Sequence, residues 1–414
     1  MIQIRQSRAL AATIAAVMLC CGLFAQSPGK IVISKMNPAG LLVDKYSYMS
    51  QPYSFYYFHH MDELGLRTDW IRRGDQVYPL LGQVKDVVHQ YDFRGHRYSL
   101  NDYFERNFVT GFVVLHENRI VVERYFHGAD QNSRFVSQSV SKSIVSILIG
   151  TAVDDGTIKS VNDRVATYLP YLSHSGYRDV TVKNLLQMSA GVNYSEDYKD
   201  PKSGAALIGA ALLTGKPSFR SFAESIGPTS TRPGTRFEYQ SVNTQVLGLL
   251  LEKVTGKRLN EYAQKKLWEK IGAQSDAFFY ESKNQPDTCA FACFNATTRD
   301  YARVGLMMLE RGALGGQRVV STQWVHDATH PDAPYLQPKP GGPEGGFGYA
   351  YQWWIPPGND GAFEAEGIYG QCVYVNPAKH VVIVQNSAWP EPVSPVLSYE
   401  QETVLEKIAA QVAQ

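Results

Sequence analysis

The chain has 414 residues, of which 44% are hydrophobic, and its 40 basic and 39 acidic side chains give a formal net charge of +1. This length and composition allow a large buried core without metals or disulfide bonds, in one large domain or two closely joined lobes. The balanced charge offers no field that would attract nucleic acid or an anionic membrane surface, so a small or neutral substrate fits better.

An export signal is predicted over residues 1–25. Arg5 and Arg8 precede an apolar run over residues 9–19, and small residues follow, which is the order found in signal peptides. A membrane anchor is the alternative, but this run is short for a bilayer span of about 20 residues. We therefore expect cleavage before Gln26, no stable membrane span afterwards, and a periplasmic or secreted protein.

Residues 26–105 are predicted to form an N-terminal extension ahead of a catalytic domain over residues 106–414. The extension is rich in tyrosine and phenylalanine, with SQPYSFYYFHHMDELGLR at its centre, and the favoured interpretation is a packing arm that covers a sheet edge. The adjacent His59 and His60 are a weak metal signal, because no Cys, Asp or Glu cluster with ligand spacing stands beside them. We expect neither a metal nor another cofactor.

Two hairpins and four helices are predicted within the catalytic domain. In chain order they are a hairpin from Gly111 with Glu117 and Asn118 at its turn, helices from Ser139 to about Asp154, from Ser241 to about Thr255 and from Arg299 to about Arg311, a hairpin with its turn at Asn376 and Pro377, and the C-terminal helix YEQETVLEKIAAQVA. The Pro- and Gly-rich stretch from Pro338 to Gly348 is predicted to be a surface loop. Strands at both ends that enclose a mostly helical middle indicate an α/β fold of the α+β type, an antiparallel sheet flanked by helices with an inserted, mostly helical lobe.

Ser139 and Lys142 form a Ser-x-x-Lys pattern at the head of the first of these helices. At this spacing the two side chains share one helix face, with Cβ atoms about 5 to 6 Å apart, so they can form a hydrogen bond. A serine hydroxyl needs an adjacent base, and lysine can be that base if burial and the positive end of the helix dipole disfavour its charge. The alternative is a serine that only caps the helix. Ser27 and Lys30 repeat the pattern, but no periodic segment follows them.

Three motifs in the same order resemble the serine β-lactamase and penicillin-binding superfamily: SVSK, FEYQS with NTQVLGLLLEKVTG, and NATTRDYARVGLMML. The resemblance covers roughly residues 108–390 and points to the branch of class C β-lactamase-like esterases and 6-aminohexanoate-dimer hydrolase. It implies that Ser139 is acylated, that Lys142 is its base, and that Tyr239 relays protons to the leaving group as an anionic or strongly hydrogen-bonded phenol. Ser241 replaces the Asn of the family's Tyr-x-Asn motif and is a candidate substrate contact.

The third motif departs from the family pattern. Members that bind β-lactams carry Lys-Thr-Gly there, whereas this chain has Ile368-Tyr369-Gly370, and loss of the lysine removes a clamp for the substrate carboxylate. The resemblance implies that the backbone amide of Gln371 joins that of Ser139 as an oxyanion donor, and that Tyr369 and Gly370 contribute to the substrate pocket.

Other residues have weaker signals. Tyr198 in NYSEDYKDP and Trp354 in YQWW are candidate pocket walls, with plain packing as an equally good interpretation. Glu364 and Glu366 are predicted to share one strand face, which fits a charged surface better than the carboxylate pair of a glycosidase. A Ser-His-Asp hydrolase is disfavoured because the chain has no Gly-x-Ser-x-Gly elbow.

Removal of the signal would leave three cysteines, Cys289, Cys293 and Cys372. Three thiols cannot all pair within one chain, and the spacing leaves open whether Cys289 and Cys293 form a bond.

The sequence therefore predicts an exported serine hydrolase that cleaves a small ester or amide through an acyl-enzyme. A β-lactamase, a D-Ala-D-Ala peptidase of the penicillin-binding type, and a binding or sensor module without turnover are the alternatives. The substrate and the oligomeric state are left open.

Overall fold

The computed structural model describes residues 47–82, 90–283, 287–339, 346–358 and 360–414. The predicted signal peptide, the Ser27 and Lys30 pattern, and most of the predicted loop from Pro338 lie outside this part of the chain. Residue contacts place Tyr46–Gln414 in one compact unit. Within the described ranges, no helix combines the length and the apolar character that crossing a bilayer requires.

The described ranges contain twelve α-helices and sixteen strands. The helices are α1 (Tyr53–Tyr57), α2 (Leu100–Arg106), α3 (Val140–Asp154), α4 (Val165–Tyr168), α5 (Val182–Leu186), α6 (Gly204–Thr214), α7 (Phe219–Ser225), α8 (Ser241–Thr255), α9 (Leu259–Ala263), α10 (Thr298–Leu309), α11 (Thr322–Thr329) and α12 (Pro395–Val412). The strands are β1 (Thr68–Ile71), β2 (Leu81–Gly82), β3 (Gln90–Phe93), β4 (His96–Ser99), β5 (Val109–His116), β6 (Arg119–Tyr125), β7 (Arg134–Val136), β8 (Ala277–Tyr280), β9 (Phe294–Thr297), β10 (Ala313–Leu314), β11 (Gln317–Arg318), β12 (Gly348–Tyr349), β13 (Trp354–Ile355), β14 (Phe363–Gly367), β15 (Gln371–Asn376) and β16 (Val381–Ser387).

An eight-stranded sheet in the order β12-β13-β14-β15-β16-β5-β6-β2 is the centre of the fold. Neighbouring strands are antiparallel except for β2, which runs parallel to β6 at one edge. Strands β15 and β16 are buried along their whole length, as expected for central strands that are covered on both faces. A second antiparallel sheet has the order β1-β8-β9-β7.

Both predicted hairpins are present. Strands β5 and β6 pair around Glu117 and Asn118, whose φ angles of 46° and 63° are the positive values that a tight hairpin turn needs at both central positions. Strands β15 and β16 pair in register from Cys372 with Gln385 to Asn376 with Val381. Because β16 also pairs with β5, the two hairpins from distant parts of the chain build one sheet.

Helices cover both faces of this sheet. Val381 and Ile383 belong to an apolar cluster with Leu405 of α12, whereas Val382 lies against Gly305 of α10. Successive side chains of a strand point to opposite faces, so α12 and α10 lie on opposite sides of the sheet. The predicted antiparallel sheet flanked by helices is therefore confirmed.

The inserted lobe is helical, as predicted. Residues 137–276 are all described, and they contain α3 to α9 but no strand. Helices α3 and α8 match the predicted helices to within one residue, and α10 begins one residue and ends two residues before the predicted bounds. Helix α3 is buried on almost every side, as expected of a helix at the centre of a large core.

The described part of the N-terminal extension packs into the same compact unit. Phe58 and Met61 are almost fully buried, β1 pairs with β8, and β2 lies along the edge strand β6, as the packing-arm interpretation requires. His59 is also buried, and burial lowers the pKa of its ring to about 3, so the ring is neutral. The domain boundary at residue 105 remains a prediction.

Replacing Gly305 by alanine is expected to destabilise the protein, although alanine is the better helix former. A Cβ at this position would lie 2.6 Å from Val382 Cγ1 and 3.1 Å from Val373 Cγ1, so α10 would be pushed away from the sheet at a cost of about 1–3 kcal/mol. Gly209 in α6 is the matched control, because a Cβ there would meet nothing within 4 Å, and Gly209→Ala should add about 0.5–1 kcal/mol. Urea denaturation measures both changes, and a stabilising effect of Gly305→Ala would contradict the close packing.

Candidate active site

Ser139 lies at the N-terminal end of α3, shortly after β7. Ser137 donates its N–H to Phe294 O at 2.7 Å, and Gln138 has a φ of 45°, a left-handed conformation that is uncommon for a residue with a side chain. This turn brings Ser139 to the position just before the helix, where 8% of its surface is exposed. Its hydroxyl makes no capping hydrogen bond, so the alternative of a serine that only caps the helix is wrong.

Lys142 is buried in the first turn of α3, with 1% of its surface exposed. Its Nζ lies 2.7 Å from Ser139 Oγ and 2.8 Å from the carbonyl oxygen of Phe291. Burial lowers the pKa of Lys142 from 10.5 to about 8, and the negative charge of Glu196 opposes this shift. A neutral amine is therefore accessible near neutral pH, within hydrogen-bonding distance of the serine hydroxyl.

Tyr239 lies beside Lys142, in the segment that precedes α8. Lys142 Nζ is 5.1 Å from the centre of the Tyr239 ring, which stacks on Trp354 at 5.5 Å. Burial above all, and then nearby tyrosines and Glu196, raise the pKa of Tyr239 well above 10, although a hydrogen bond with Ser139 lowers it. A raised pKa favours the protonated hydroxyl near neutral pH, which supports the hydrogen-bonded phenol over the anionic one.

Glu196 is a site residue that the sequence reasoning missed. Its carboxylate accepts hydrogen bonds from the Ser241 backbone N–H at 2.8 Å and from the Ser241 hydroxyl at 2.5 Å, at the start of α8, where the helix dipole favours a negative charge. Tyr198 donates its hydroxyl to the same carboxylate at 2.8 Å. In the sequence, the only signal for Glu196 is its place in the segment NYSEDYKDP, close to the candidate Tyr198.

A cavity of about 600 Å³ opens in front of Ser139, within the size range of small-molecule sites. Among the predicted site residues, five line it: Ser139, Tyr198, Tyr239, Trp354 and Gln371. Other walls come from residues 196–199, from the end of β14, and from residues of the 389–402 segment at the start of α12. Ser241, whose hydroxyl is bonded to Glu196, is not among the residues that line this cavity.

Tyr369 and Gly370 do not line this cavity either, contrary to the prediction. They lie in a short 3₁₀ turn between β14 and β15, where Tyr369 has a φ of 64° and its ring packs against that of Phe58 at 5.2 Å. A Cβ on Gly370 would lie 2.4 Å from the Trp389 ring. The turn therefore directs both residues into the packed interior.

Gly367, at the end of β14, lies against the Ser139 backbone. A Cβ built on Gly367 would lie 2.9 Å from Ser139 N, so only glycine permits this close approach. Ile368, the next residue, lines the cavity together with Ser139, and its N–H is a candidate oxyanion donor beside that of Gln371. The Gln371 side chain donates to Ser387 O at 2.6 Å, and Gln371 pairs with Gly367 where β15 begins.

One wall of the cavity is acidic, whereas a clamp for a substrate carboxylate would be basic. Glu366 of β14 and Glu402 of α12 line the cavity, and with Glu364 they place carboxylate oxygens within 4.8 Å of one another, a group that could also hold a metal ion. Glu364 and Glu366 thus share a strand face as predicted, but Glu364 is fully buried and does not belong to a charged surface. Burial raises the pKa of Glu402 to about 7, and burial with the nearby glutamates raises that of Glu364.

Cys289 and Cys293 form a disulfide bond, the option that their spacing left open, whereas Cys372 is free and buried. The bond closes a short loop that contains Phe291, whose carbonyl oxygen contacts Lys142.

Comparison with known proteins identifies the family. The profile of the Beta-lactamase family matches residues 102–399. The chain is also 31% identical over 363 residues to a 6-aminohexanoate-dimer hydrolase of Paenarthrobacter ureafaciens, and this match covers 84% of the chain and 88% of that protein. The chain belongs to the beta-lactamase family. The family and the hydrolase class predicted from the motifs are therefore confirmed.

Two solved structures confirm the fold. A Bacillus anthracis protein assigned to the 6-aminohexanoate-dimer hydrolases superposes with a TM-score of 0.78 at 23% identity, over 93% of this chain and 98% of its own. A family VIII carboxylesterase superposes with a TM-score of 0.57 at 20% identity, over 74% of this chain and 96% of its own.

Replacing Gly367 by alanine is expected to lower hydrolytic activity about 10- to 100-fold, because the added methyl group must displace β14 from the Ser139 amide and weaken oxyanion binding. Gly358→Ala is the matched control, since Gly358 is exposed and a Cβ there meets only Asp360 Oδ1, at 3.8 Å. Initial rates with a p-nitrophenyl ester measure the effect. Equal rates for the two variants would contradict a role for this close approach.

Proposed function

We propose that this protein is an exported serine hydrolase that cleaves a small ester or linear amide through an acyl-enzyme at Ser139. The observation that carries the proposal is the hydrogen bond between the Ser139 hydroxyl and the buried Lys142 amine, at 2.7 Å. A lysine this deeply buried beside a serine that does not cap its helix favours nucleophilic catalysis over a structural role.

In the first half of the reaction, neutral Lys142 accepts the Ser139 proton while Ser139 Oγ attacks the carbonyl carbon of the substrate. The resulting oxyanion is held by the backbone N–H of Ser139 and by that of Gln371 or Ile368. Collapse of this intermediate expels the amine or alkoxide, which takes a proton from the Tyr239 hydroxyl as Lys142 returns one to Tyr239. The phenol thus stays neutral between steps, as its raised pKa requires.

In the second half, water hydrolyses the ester between Ser139 and the acyl group. The same groups act in reverse, because a water proton must pass to Lys142 or Tyr239 before it reaches the departing serine oxygen. Release of the carboxylic acid restores the hydrogen bond between Ser139 and Lys142. A cavity lined on one side by Tyr239 and Trp354 suits an apolar portion of the substrate.

The charges around the cavity disfavour a β-lactam and favour a substrate that carries an amine. The lysine of the Lys-Thr-Gly motif is absent, and the only basic residue among those that line the cavity is Lys199, beside the acidic Glu196, Asp197, Glu366 and Glu402. A carboxylate would be repelled there, whereas an ammonium group would be attracted. The similarity to a protein named 6-aminohexanoate-dimer hydrolase supports a linear amide with an amino end.

Export remains part of the proposal and rests on the basic and apolar pattern of residues 1–25. The disulfide bond between Cys289 and Cys293 supports it, because such bonds persist in oxidising compartments. Fractionation of cells that express the full chain, with N-terminal sequencing of the product, tests export. An intact N-terminus in the cytoplasmic fraction would contradict it.

Lys142→Ala is expected to lower kcat/KM for a p-nitrophenyl ester about 10³-fold, because the general base is lost. Lys159→Ala, at an exposed lysine, is the control and should keep the wild-type rate. Ser139→Ala should abolish both turnover and labelling by a fluorophosphonate. A single stoichiometric burst from the wild type would instead indicate a sensor that stays acylated, and an unchanged rate in Lys142→Ala would refute the mechanism.

Activity is expected to rise with pH through about pH 8. The pKa of Lys142 is lowered to about 8, and only its neutral form accepts the serine proton, so kcat/KM falls below this pH as Lys142 becomes protonated. A pH profile of kcat/KM in the wild type measures the midpoint. A rate that stays constant from pH 6 to pH 10 would contradict an uncharged lysine as the base.

At pH 8, where Glu402 is mostly ionised although burial raises its pKa to about 7, Glu402→Gln is expected to raise KM about fivefold for an anilide substrate with a free amino end, because one charge interaction is lost. The N-acetylated form of the same substrate is the first control, since its KM should not change. Glu406→Gln, at an exposed position of α12 outside the cavity, is the matched variant. Equal changes for the charged and the acetylated substrate would contradict recognition of the amine.

A further inference from the structure

The second hydrogen bond of Lys142 leads to the disulfide loop, residues 289–293. Lys142 Nζ donates to the carbonyl oxygen of Phe291 at 2.8 Å, and Phe291 lies between Cys289 and Cys293, which are bonded to each other. The acceptor for the amine therefore belongs to a short covalent ring, and its carbonyl group has little freedom to rotate.

Two helices hold the disulfide loop from outside. Ser141, next to Lys142 in α3, donates its hydroxyl to Ala290 O at 2.7 Å. From α8, the side chain of Gln245 donates to Thr288 O at 2.9 Å and accepts the Ala290 N–H at 3.0 Å. The loop is thus fixed to the same helix that carries Ser139 and Lys142.

A carbonyl group at this position controls the direction of the amine. A neutral amine has two N–H bonds and one lone pair, so donation of one N–H to Phe291 O helps to direct the lone pair towards the Ser139 hydroxyl. Without a fixed acceptor, the flexible lysine side chain would sample other rotamers and its lone pair would be aligned less often.

The Phe291 ring adds a second effect. It lies 5.9 Å from Lys142 Nζ and is 8% exposed, so it helps to cover the amine. The titratable groups that face Lys142 from the other sides are the Tyr239 phenol and the Glu196 carboxylate. Because Tyr239 is neutral and Glu196 favours the ammonium form, the exclusion of water is what favours the free amine.

We propose that the disulfide loop is a positioning element for catalysis, which aims the amine of Lys142 through the Phe291 carbonyl and keeps water away from it. Cys289, Cys293, Phe291 and Gln245 act through Lys142 and touch no substrate. This inference rests on the proposed function of Ser139 and Lys142. It predicts that opening the loop changes the pH at which the serine becomes reactive, and not only the amount of folded protein.

The test uses the full chain with the substitutions Cys289→Ala and Cys293→Ala combined. The rate of Ser139 labelling by a fluorophosphonate is followed from pH 6 to pH 10, because labelling requires an activated serine but no turnover. We expect the midpoint of the profile to rise by about one pH unit, so that labelling at pH 7 slows about tenfold, since each unit of pKa changes the neutral fraction tenfold. Near pH 10 the amine is neutral in both proteins, so any difference in rate that remains there measures the loss of its alignment.

A second variant keeps the inference testable if the cysteine variant does not fold. Gln245→Met removes the hydrogen bonds of Gln245 with Thr288 and Ala290 and leaves the disulfide intact, and it should shift the midpoint in the same direction by a smaller amount. Circular dichroism establishes that each labelled protein is folded. A profile that coincides with the wild type in both its midpoint and its rate at high pH would overturn the positioning role. Wild-type protein that is not labelled at Ser139 would instead refute the proposed function itself.

Discussion

The hydrogen bond between Ser139 and a buried lysine is the interaction on which the rest of the site depends. An ammonium group taken out of water is strongly disfavoured unless it is paired, and the nearest charged groups do not neutralise Lys142 fully. Burial therefore lowers the pKa of Lys142 to about 8. Burial makes the amine a base, but a buried N–H group also needs a hydrogen-bond acceptor. The Phe291 carbonyl oxygen, 2.8 Å from Lys142 Nζ, is that acceptor.

The fold meets this requirement with elements that are distant in the sequence. Helix α3 carries the serine and the lysine, the segment before α8 brings Tyr239, and β14 brings Gly367 against the Ser139 backbone. The loop around Glu196 then anchors the start of α8 through Ser241. Because apolar residues of the large sheet and of α12 form one core cluster, the helix that carries Glu402 is packed directly onto the sheet.

The sequence was informative where the structure depends on local patterns. The helices at Ser139 and Ser241 follow from apolar periodicity, and the hairpin at Glu117 follows from a turn between two β-rich runs. It was misleading at Tyr369, which was assigned to the pocket by its place in a motif. A left-handed residue in the turn between β14 and β15 points Tyr369 into the interior, where its ring packs against that of Phe58, which lies more than 300 residues away in the chain.

The sequence by itself determined that a serine and a lysine share the first turn of an apolar helix, because helix geometry fixes the relation between residues three positions apart. It also showed that the third motif lacks its lysine, because the residues of a motif can be read directly from the sequence. Only the tertiary structure decided that Lys142 is shielded from water and that Glu196 forms hydrogen bonds with Ser241. It also decided that the carboxylates of Glu364, Glu366 and Glu402 lie close together. Those properties depend on which distant segments exclude water and which charges they bring together, and no local pattern records that.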